Sequence, residues 1–314
     1  MSFIHLGIHS EYSVSDSLVR LPELVSAAAK DGMPALALTD LSNLYAAVKF
    51  YKAFLGKGIQ PILGSEIQLQ TDSTEYIPKL TLLAMNETGW RNLTELVSLG
   101  YTEGLELGVP LVAATRIQQQ SEGLLLLLDR HSDVGYAVQS GNLERAGTLL
   151  ADWVTAFGDR VYLSVSRIGR PQEEPYLQDV LALAQPFQLT VIATNEVRFM
   201  AQSDFEAHEA RVCIATGYVL SDEKRPRLYT DQQYFKTQAE MSVLFEDLPE
   251  LLENTVELAR RCAISLTLGK NYLPDFPVPE GYTIDTYFRA RCQEGLDARL
   301  AVLYPQPTED WAER

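Results

Sequence analysis

His9, Asp40, Glu66 and Glu196 each follow a short apolar run of the kind that ends a β-strand. The runs are Phe3-Ile4-His5-Leu6-Gly7-Ile8, Ala35-Leu36-Ala37-Leu38-Thr39, Pro61-Ile62-Leu63-Gly64-Ser65 and Val191-Ile192-Ala193-Thr194-Asn195. An imidazole and three carboxylates are the donor types that bind zinc, manganese or iron. Brought to one cleft without a cation, the three carboxylates would repel each other and lose hydration. Their chemistry therefore depends on what else reaches the same place.

The elements that must position them alternate between strand and helix patterns. A strand ends at His9, and a helix is predicted after a cap at Ser15 or Asp16, with Leu18, Leu21, Leu24, Val25 and Ala28 on one face. The strand 35–38 leads to Asp40, a helix covers 46–54, and a strand at 62–63 leads to Glu66. Further strands are predicted at 80–84, 123–128, 161–165 and 190–193, with helices near 87–99, 144–157 and 172–185. Short apolar strands alternating with helices imply an α/β fold with a parallel sheet closed into a barrel. In such folds, side chains just past the strand ends converge on one face. From Asp204 the pattern turns helical, at 204–216, 238–245 and 249–263. The stretch 266–281, with Pro274, Pro277, Pro279, Gly269 and Gly281, reads as a linker before an amphipathic helix at 283–300. Trp311-Ala312-Glu313-Arg314, soon after Tyr304-Pro305, reads as a boundary inside a larger protein.

Composition narrows the function classes. The 314 residues suffice for a full core and part of a second unit. No apolar run approaches the ~18 residues a membrane span needs, and no basic leader precedes the first strand, so a cytoplasmic location without membrane partners is expected. Cys213, Cys262 and Cys292 are far apart and unpaired by motif, which reads as reduced thiols on helices. A net charge of −16 opposes general binding of phosphate backbones. The one basic run, Lys224-Arg225-Pro226-Arg227, reads as a solvated loop, with contact to DNA or an acidic partner as the alternative. No phosphate-binding loop, dinucleotide fingerprint or serine-nucleophile elbow occurs.

Longer stretches carry a family resemblance. They are His5-Leu6-Gly7-Ile8-His9-Ser10-Glu11-Tyr12-Ser13, Gly32-Met33-Pro34-Ala35-Leu36-Ala37-Leu38-Thr39-Asp40 and Asn86-Glu87-Thr88-Gly89-Trp90-Arg91-Asn92-Leu93. Later ones are Ala193-Thr194-Asn195-Glu196-Val197-Arg198-Phe199, Asp204-Phe205-Glu206-Ala207-His208-Glu209, Lys224–Arg227 and Asn271-Tyr272-Leu273-Pro274-Asp275-Phe276-Pro277. In this order the chain resembles the PHP (polymerase and histidinol phosphatase) domain at the N-terminus of bacterial C-family replicative polymerases, the polymerase III alpha subunits. The resemblance implies a distorted (β/α)7 barrel over 1–270, with a helical linker and the start of the polymerase palm over 271–314.

Residue by residue, the resemblance implies a degenerate metal site. Where metal-binding members carry His-x-His, this chain has Gly7-Ile8-His9; where they carry Asp-His, it has Asp40-Leu41. Glu66 is kept, Lys79 stands where a histidine opens the next strand, and Glu196-Val197-Arg198 replaces acid-x-His. Arg130 corresponds to a further ligand, with His131 beside it as a substitute. A polynuclear site needs roughly eight or nine ligands, and ammonium and guanidinium groups repel metal ions. The expectation is therefore that no metal binds, and that Lys79 and Arg198 neutralise two of the three carboxylates, leaving about one uncompensated.

The resemblance has functional implications as well. The catalytic residues of DNA synthesis and their Mg2+ would lie in the downstream palm, so this segment holds none and DNA would be met through the missing domains. The segment itself would brace the palm and dock the proofreading exonuclease subunit within the polymerase III holoenzyme. Two enzyme readings compete: a residual one-metal phosphoesterase or pyrophosphatase on His9, Asp40, Glu66 and Glu196, and a stand-alone sugar- or histidinol-phosphatase relative. Among supporting residues, His5 shares a strand face with His9 if alternation holds. His208 pairs locally with Asp204 or acts as a cap, Ser10 caps a strand end, and the aromatics of 44–51, Trp90 and Trp153 fill core.

Overall fold

A computed structural model describes residues 2–71, 76–271, 273–274 and 276–304. Tyr272 and Asp275 of the last resembling stretch, and the terminal segment 305–314, lie outside the described residues. The chain divides into two compact units, Met1–Leu266 and Thr267–Arg314.

The first unit alternates helix and strand as α1 (Leu21–Lys30), β1 (Ala35–Leu38), α2 (Ala47–Leu55), β2 (Gln60–Leu69), β3 (Lys79–Ala84) and α3 (Glu87–Thr102). There follow β4 (Leu105–Glu106), β5 (Val109–Val112), α4 (Ala114–Gln119), β6 (Leu124–Leu128), α5 (Asp133–Gln139) and α6 (Leu143–Phe157). The series ends with β7 (Val161–Ser166), α7 (Glu173–Phe187), β8 (Thr190–Thr194), α8 (Phe205–Thr216), α9 (Gln238–Leu244) and α10 (Glu250–Arg260). In the second unit, α11 (Ile284–Leu303) is capped by Thr283, whose hydroxyl accepts from the Thr286 amide.

Strands run in the order β1-β2-β3-β6-β7-β8, with β5 and β4 branching from β2. The β1–β2, β6–β7 and β7–β8 pairs are parallel, while β3 is antiparallel to both neighbours. The N-terminal segment closes the circuit. His5 and Ile8 carbonyls accept from Ala37 and Thr39 beside β1, at 2.9 Å each, and Gly7 and His9 exchange backbone bonds with Val197 just after β8. Seven chain segments thus form a barrel whose reversed β3 departs from the all-parallel pattern.

Period-2 alternation sorts side chains between the barrel interior and the helical layer. Ile4, Leu6, Ala35, Ala37, Ile62, Leu83, Leu125, Leu127, Tyr162 and Ile192 form one interior cluster. Their strand neighbours Leu36, Leu38 and Leu63 pack under α1 and α2, and Leu124, Leu126, Leu128, Leu163 and Val191 under α3–α7. The five consecutive leucines of β6 are buried on both faces, as expected for a strand between two apolar layers.

Several expectations shift for physical reasons. The first helix begins at Leu21 rather than after Asp16, with Pro22 in its opening turn, where a missing amide proton costs nothing. Asp16 does not cap it because its carboxylate is engaged elsewhere. Glu66 lies inside the ten-residue β2 rather than beyond a strand end. Strands β4 and β5 and helices α4 and α5 were not legible as separate elements. Alternation also slips at Gly7: Leu6 and His9 both reach the interior while Ile8 packs outward. His5 therefore faces away from His9, stacked on Phe235 with Nε2 2.8 Å from the Lys236 carbonyl. Cys262 lies just past α10 rather than on a helix.

Candidate functional site

Strand parity carries a second set of interior residues above the apolar cluster: Thr39, Glu66, Thr81, Asp129, Ser164, Thr194, Glu196 and Arg198, with His9. They surround the upper barrel. The turn after β6 is fixed by Ser132, which caps α5 by accepting from the Gly135 amide, and by Asp129 Oδ1, which accepts from the His131 amide at 2.8 Å. The Lys79 amide donates to the His131 carbonyl at 2.9 Å, tying this turn to the start of β3.

Asp16 is the centre of one half of the site. Its carboxylate meets His9 Nδ1, the Tyr229 hydroxyl and, at 2.9 Å, Arg198 Nε. Its backbone carbonyl is 2.9 Å from His208 Nε2. Glu66 continues the chain of charges, with Oε2 2.8 Å from His9 Nε2 and 3.7 Å from Arg198, and Oε1 3.1 Å from Lys79 Nζ. Burial opposes ionisation of both acids. For Asp16, Arg198 and His9 outweigh it and hold the carboxyl well below the usual range. For Glu66, Lys79, His9 and Arg198 do the same. Burial and Arg198 likewise oppose a proton on His9, but Asp16 and Glu66 prevail and raise its pKa.

Glu196 anchors the other half. Its Oε2 lies 3.2 Å from both His131 Nε2 and Arg170, and its Oε1 accepts from Ser166 at 3.2 Å. Burial opposes its charge; His131 and Arg170 overcome that and hold its pKa well below normal. His131 is raised in turn, because Glu196 outweighs burial. Asp129 differs: burial raises its pKa, and Glu196 and Glu66 add to the rise.

The structure therefore brings together His9, Glu66, Lys79, Glu196 and Arg198, but not Asp40. Thr39 points inward, so Asp40 points out, where its carboxylate accepts from the Ser10 amide at 2.6 Å and from the Ser10 and Ser13 hydroxyls at 2.7 Å each. Arg130, one residue past the inward Asp129, bonds Gln139 instead. His131 regains the inward phase. Arg198 pairs with Asp16 and Glu66 rather than Glu196, whose fixed cation is Arg170. Asp16, Asp129 and Arg170 went unrecognised; alternation carried two residues past Leu127 would have found Asp129, whereas Asp16 and Arg170 sit on loops with no periodic signal.

Other expectations change too. His208 meets Asp16 and not Asp204, which caps Ala201 instead. The run 224–227 is not simply a solvated loop: Arg225 is buried against Glu209, and Arg227 lies 3.9 Å from the same acid. Trp153 is core, bonding the Asp133 carboxylate through Nε1.

The charge balance differs from a simple deficit. Three carboxylates held ionised, Asp16, Glu66 and Glu196, face three permanent cations, Lys79, Arg170 and Arg198. Among the described residues, no three His, Cys, Asp or Glu groups are arranged to hold a metal ion. The donor set does not fit the metal cluster of the resembling family, because ammonium and guanidinium groups already occupy the carboxylate oxygens.

The PHP domain family model matches residues 5–168. DNA polymerase III subunit alpha of Pseudomonas aeruginosa is 47% identical over 313 residues, covering 99% of this chain and 27% of that protein. The subunits of Escherichia coli K12 and Vibrio cholerae are 45% and 42% identical, over 98% and 97% of this chain. This chain thus spans about a quarter of the length of these relatives (27% and 26%). Among solved structures, an amidohydrolase from Chromobacterium violaceum aligns over 63% of this chain and 88% of its own, at 13% identity and a TM-score of 0.45.

Proposed function

The chain belongs to the PHP domain family, and from that premise we propose that it is the metal-free structural PHP barrel at the N-terminus of a bacterial DNA polymerase III alpha subunit. The carrying observation is the replacement of metal charge by side chains. Lys79 and Arg198 on Glu66 and Asp16, and Arg170 on Glu196, pair each carboxylate held ionised with a permanent cation, while burial raises the pKa of the remaining one, Asp129. In this reading the whole protein is a DNA-directed DNA polymerase of the replicative holoenzyme. Its nucleotidyl transfer would use Mg2+ held in downstream domains, and those domains would meet DNA. The PHP barrel would brace the palm and dock the proofreading exonuclease subunit in the cytoplasm. The docking and bracing roles rest on similarity to the alpha subunits. Among the described residues no helix is long and apolar enough to cross a membrane. A one-metal phosphoesterase on His9, Asp40, Glu66 and Glu196 is not favoured, because Asp40 is spent on Ser10 and Ser13.

Elemental analysis of the purified chain, with Zn2+ and Mn2+ titrations, tests the metal-free reading. We expect no stoichiometric metal and no tight binding. One ion per chain, lost on Glu66→Gln, would overturn it. Co-elution of the chain with the exonuclease subunit of the same organism tests docking, and separate elution of the two at micromolar concentration would count against that role.

A further inference from the structure

Between the apolar cluster and the ion pairs lies a small, partly open cavity of about 20 Å3. Its wall includes Glu66, Thr81, Asp129, Ser164 and Arg198. One water needs roughly 10–15 Å3 of such space, together with two to four polar partners, so the cavity admits one water and excludes a phosphate or any organic ligand. The wall also has unused hydrogen-bonding capacity. Glu66, only 6% exposed, has Lys79 Nζ 3.1 Å from its Oε1, and a carboxylate oxygen with two lone pairs has capacity for a second donor.

We propose that this cavity is a built site for one ordered water molecule, which donates to the Glu66 and Asp129 carboxylates and accepts from a wall hydroxyl. A water suits the site better than an ion on charge grounds. A divalent cation would lie against Arg198, and an anion against Glu66, Asp129 and Glu196. The neutral dipole satisfies acceptors without disturbing a balance already set by side chains. It also joins the two halves of the mouth, since Glu66 belongs to the Asp16 half and Asp129 neighbours Glu196. The inference rests on the metal-free reading above.

The test is a crystal structure of the unaltered protein at a resolution that shows waters, with anomalous data at the zinc and manganese edges. The expected result is one peak without anomalous signal, about 2.6–3.2 Å from at least three polar atoms of the wall. In Ser164→Val, whose added methyl groups occupy the space, the peak should vanish while the Lys79–Glu66 and Arg198–Asp16 pairs persist. No peak, or a side chain folded into the cavity, would overturn the water and leave the metal-free reading standing. A peak with anomalous signal would overturn both. Should Ser164→Val fail to fold, the density of the unaltered protein alone decides between these outcomes.

Discussion

At the scale of single residues, Asp16 and Arg198 hold the barrel mouth together, and each is buried with its partner's charge. Replacing one side of such a pair strands the other in a medium of low polarity, at a cost of about 3–5 kcal/mol. Asp16→Asn and Arg198→Ala should each lower the urea midpoint by that equivalent, with an unchanged denaturant slope; an unmoved midpoint would remove the ion pairs from the account. The histidines set a pH optimum. His9, raised above its unfolded value of 6.5, contributes stability that is complete below that value and fades as pH climbs beyond it. His131 is raised too and adds to that alkaline limb. His5 is lowered by burial to about 4, so between about 4 and 6.5 the unfolded chain binds the extra proton and stability rises with pH. The carboxyls of Asp16 and Glu196, held low, steepen the loss at still lower pH. Folding stability should therefore peak near pH 6.5, read as urea midpoints across the acid and alkaline limbs. His9→Gln should flatten the alkaline limb while the acid limb stays. A midpoint climbing steadily into the alkaline range would contradict these assignments.

At the scale of elements, the site depends on how closely helices seat against strand ends. Gly135 opens α5 directly over the turn that carries Asp129 and His131, and a Cβ there would lie 2.0 Å from the Asp129 carbonyl oxygen. Gly135→Ala should cost about 1–3 kcal/mol by overpacking and shift the His131 ring resonances in an NMR spectrum. Gly147 lies within α6 with nothing near its Cβ position. Gly147→Ala should instead stabilise by about 0.4–1 kcal/mol, so a loss at 147 as large as that at 135 would defeat the packing explanation. The same geometry explains what the sequence revealed. Apolar strands such as 124–128, and the 191–193 stretch of β8, announce themselves because burial on both faces leaves an unbroken hydrophobic run. Glu66 and Glu196 were legible as carboxylates following apolar runs, and Lys79 and Arg198 through the family resemblance; alternation carries all four inward. Asp40 misled because the strand outlet was read without parity, and His5 because the N-terminal segment slips phase at Gly7. Asp16 and Arg170 reach the mouth from loops, where position depends on tertiary contacts that no local pattern encodes.

At the scale of the whole molecule, 42 acidic against 26 basic residues give a net charge of −16, and ion pairs hold a good part of the cations. Arg167 is shared by Glu174 and Asp247 at 2.7 and 2.5 Å, Arg261 meets Asp159 at 3.0 Å, and Arg225 is buried on Glu209. Arg198, Arg170 and Lys79 are spent inside the barrel mouth. Affinity for a phosphate backbone comes mainly from basic groups that release condensed counterions, and falls steeply with salt in proportion to their number. Non-specific DNA binders reach dissociation constants of about 10⁻⁴–10⁻⁶ M at physiological salt. With many of its guanidinium groups paired and a surface that repels polyanions at long range, this chain should fall short of that range. Fluorescence anisotropy with labelled single- and double-stranded oligonucleotides should show no saturable binding at physiological salt, and only weak binding on dilution. Micromolar binding with a steep salt slope, lost on Lys224→Ala with Arg227→Ala, would instead make the 224–227 run a DNA contact. The acidic balance would then describe the molecule's average and not the surface that meets nucleic acid.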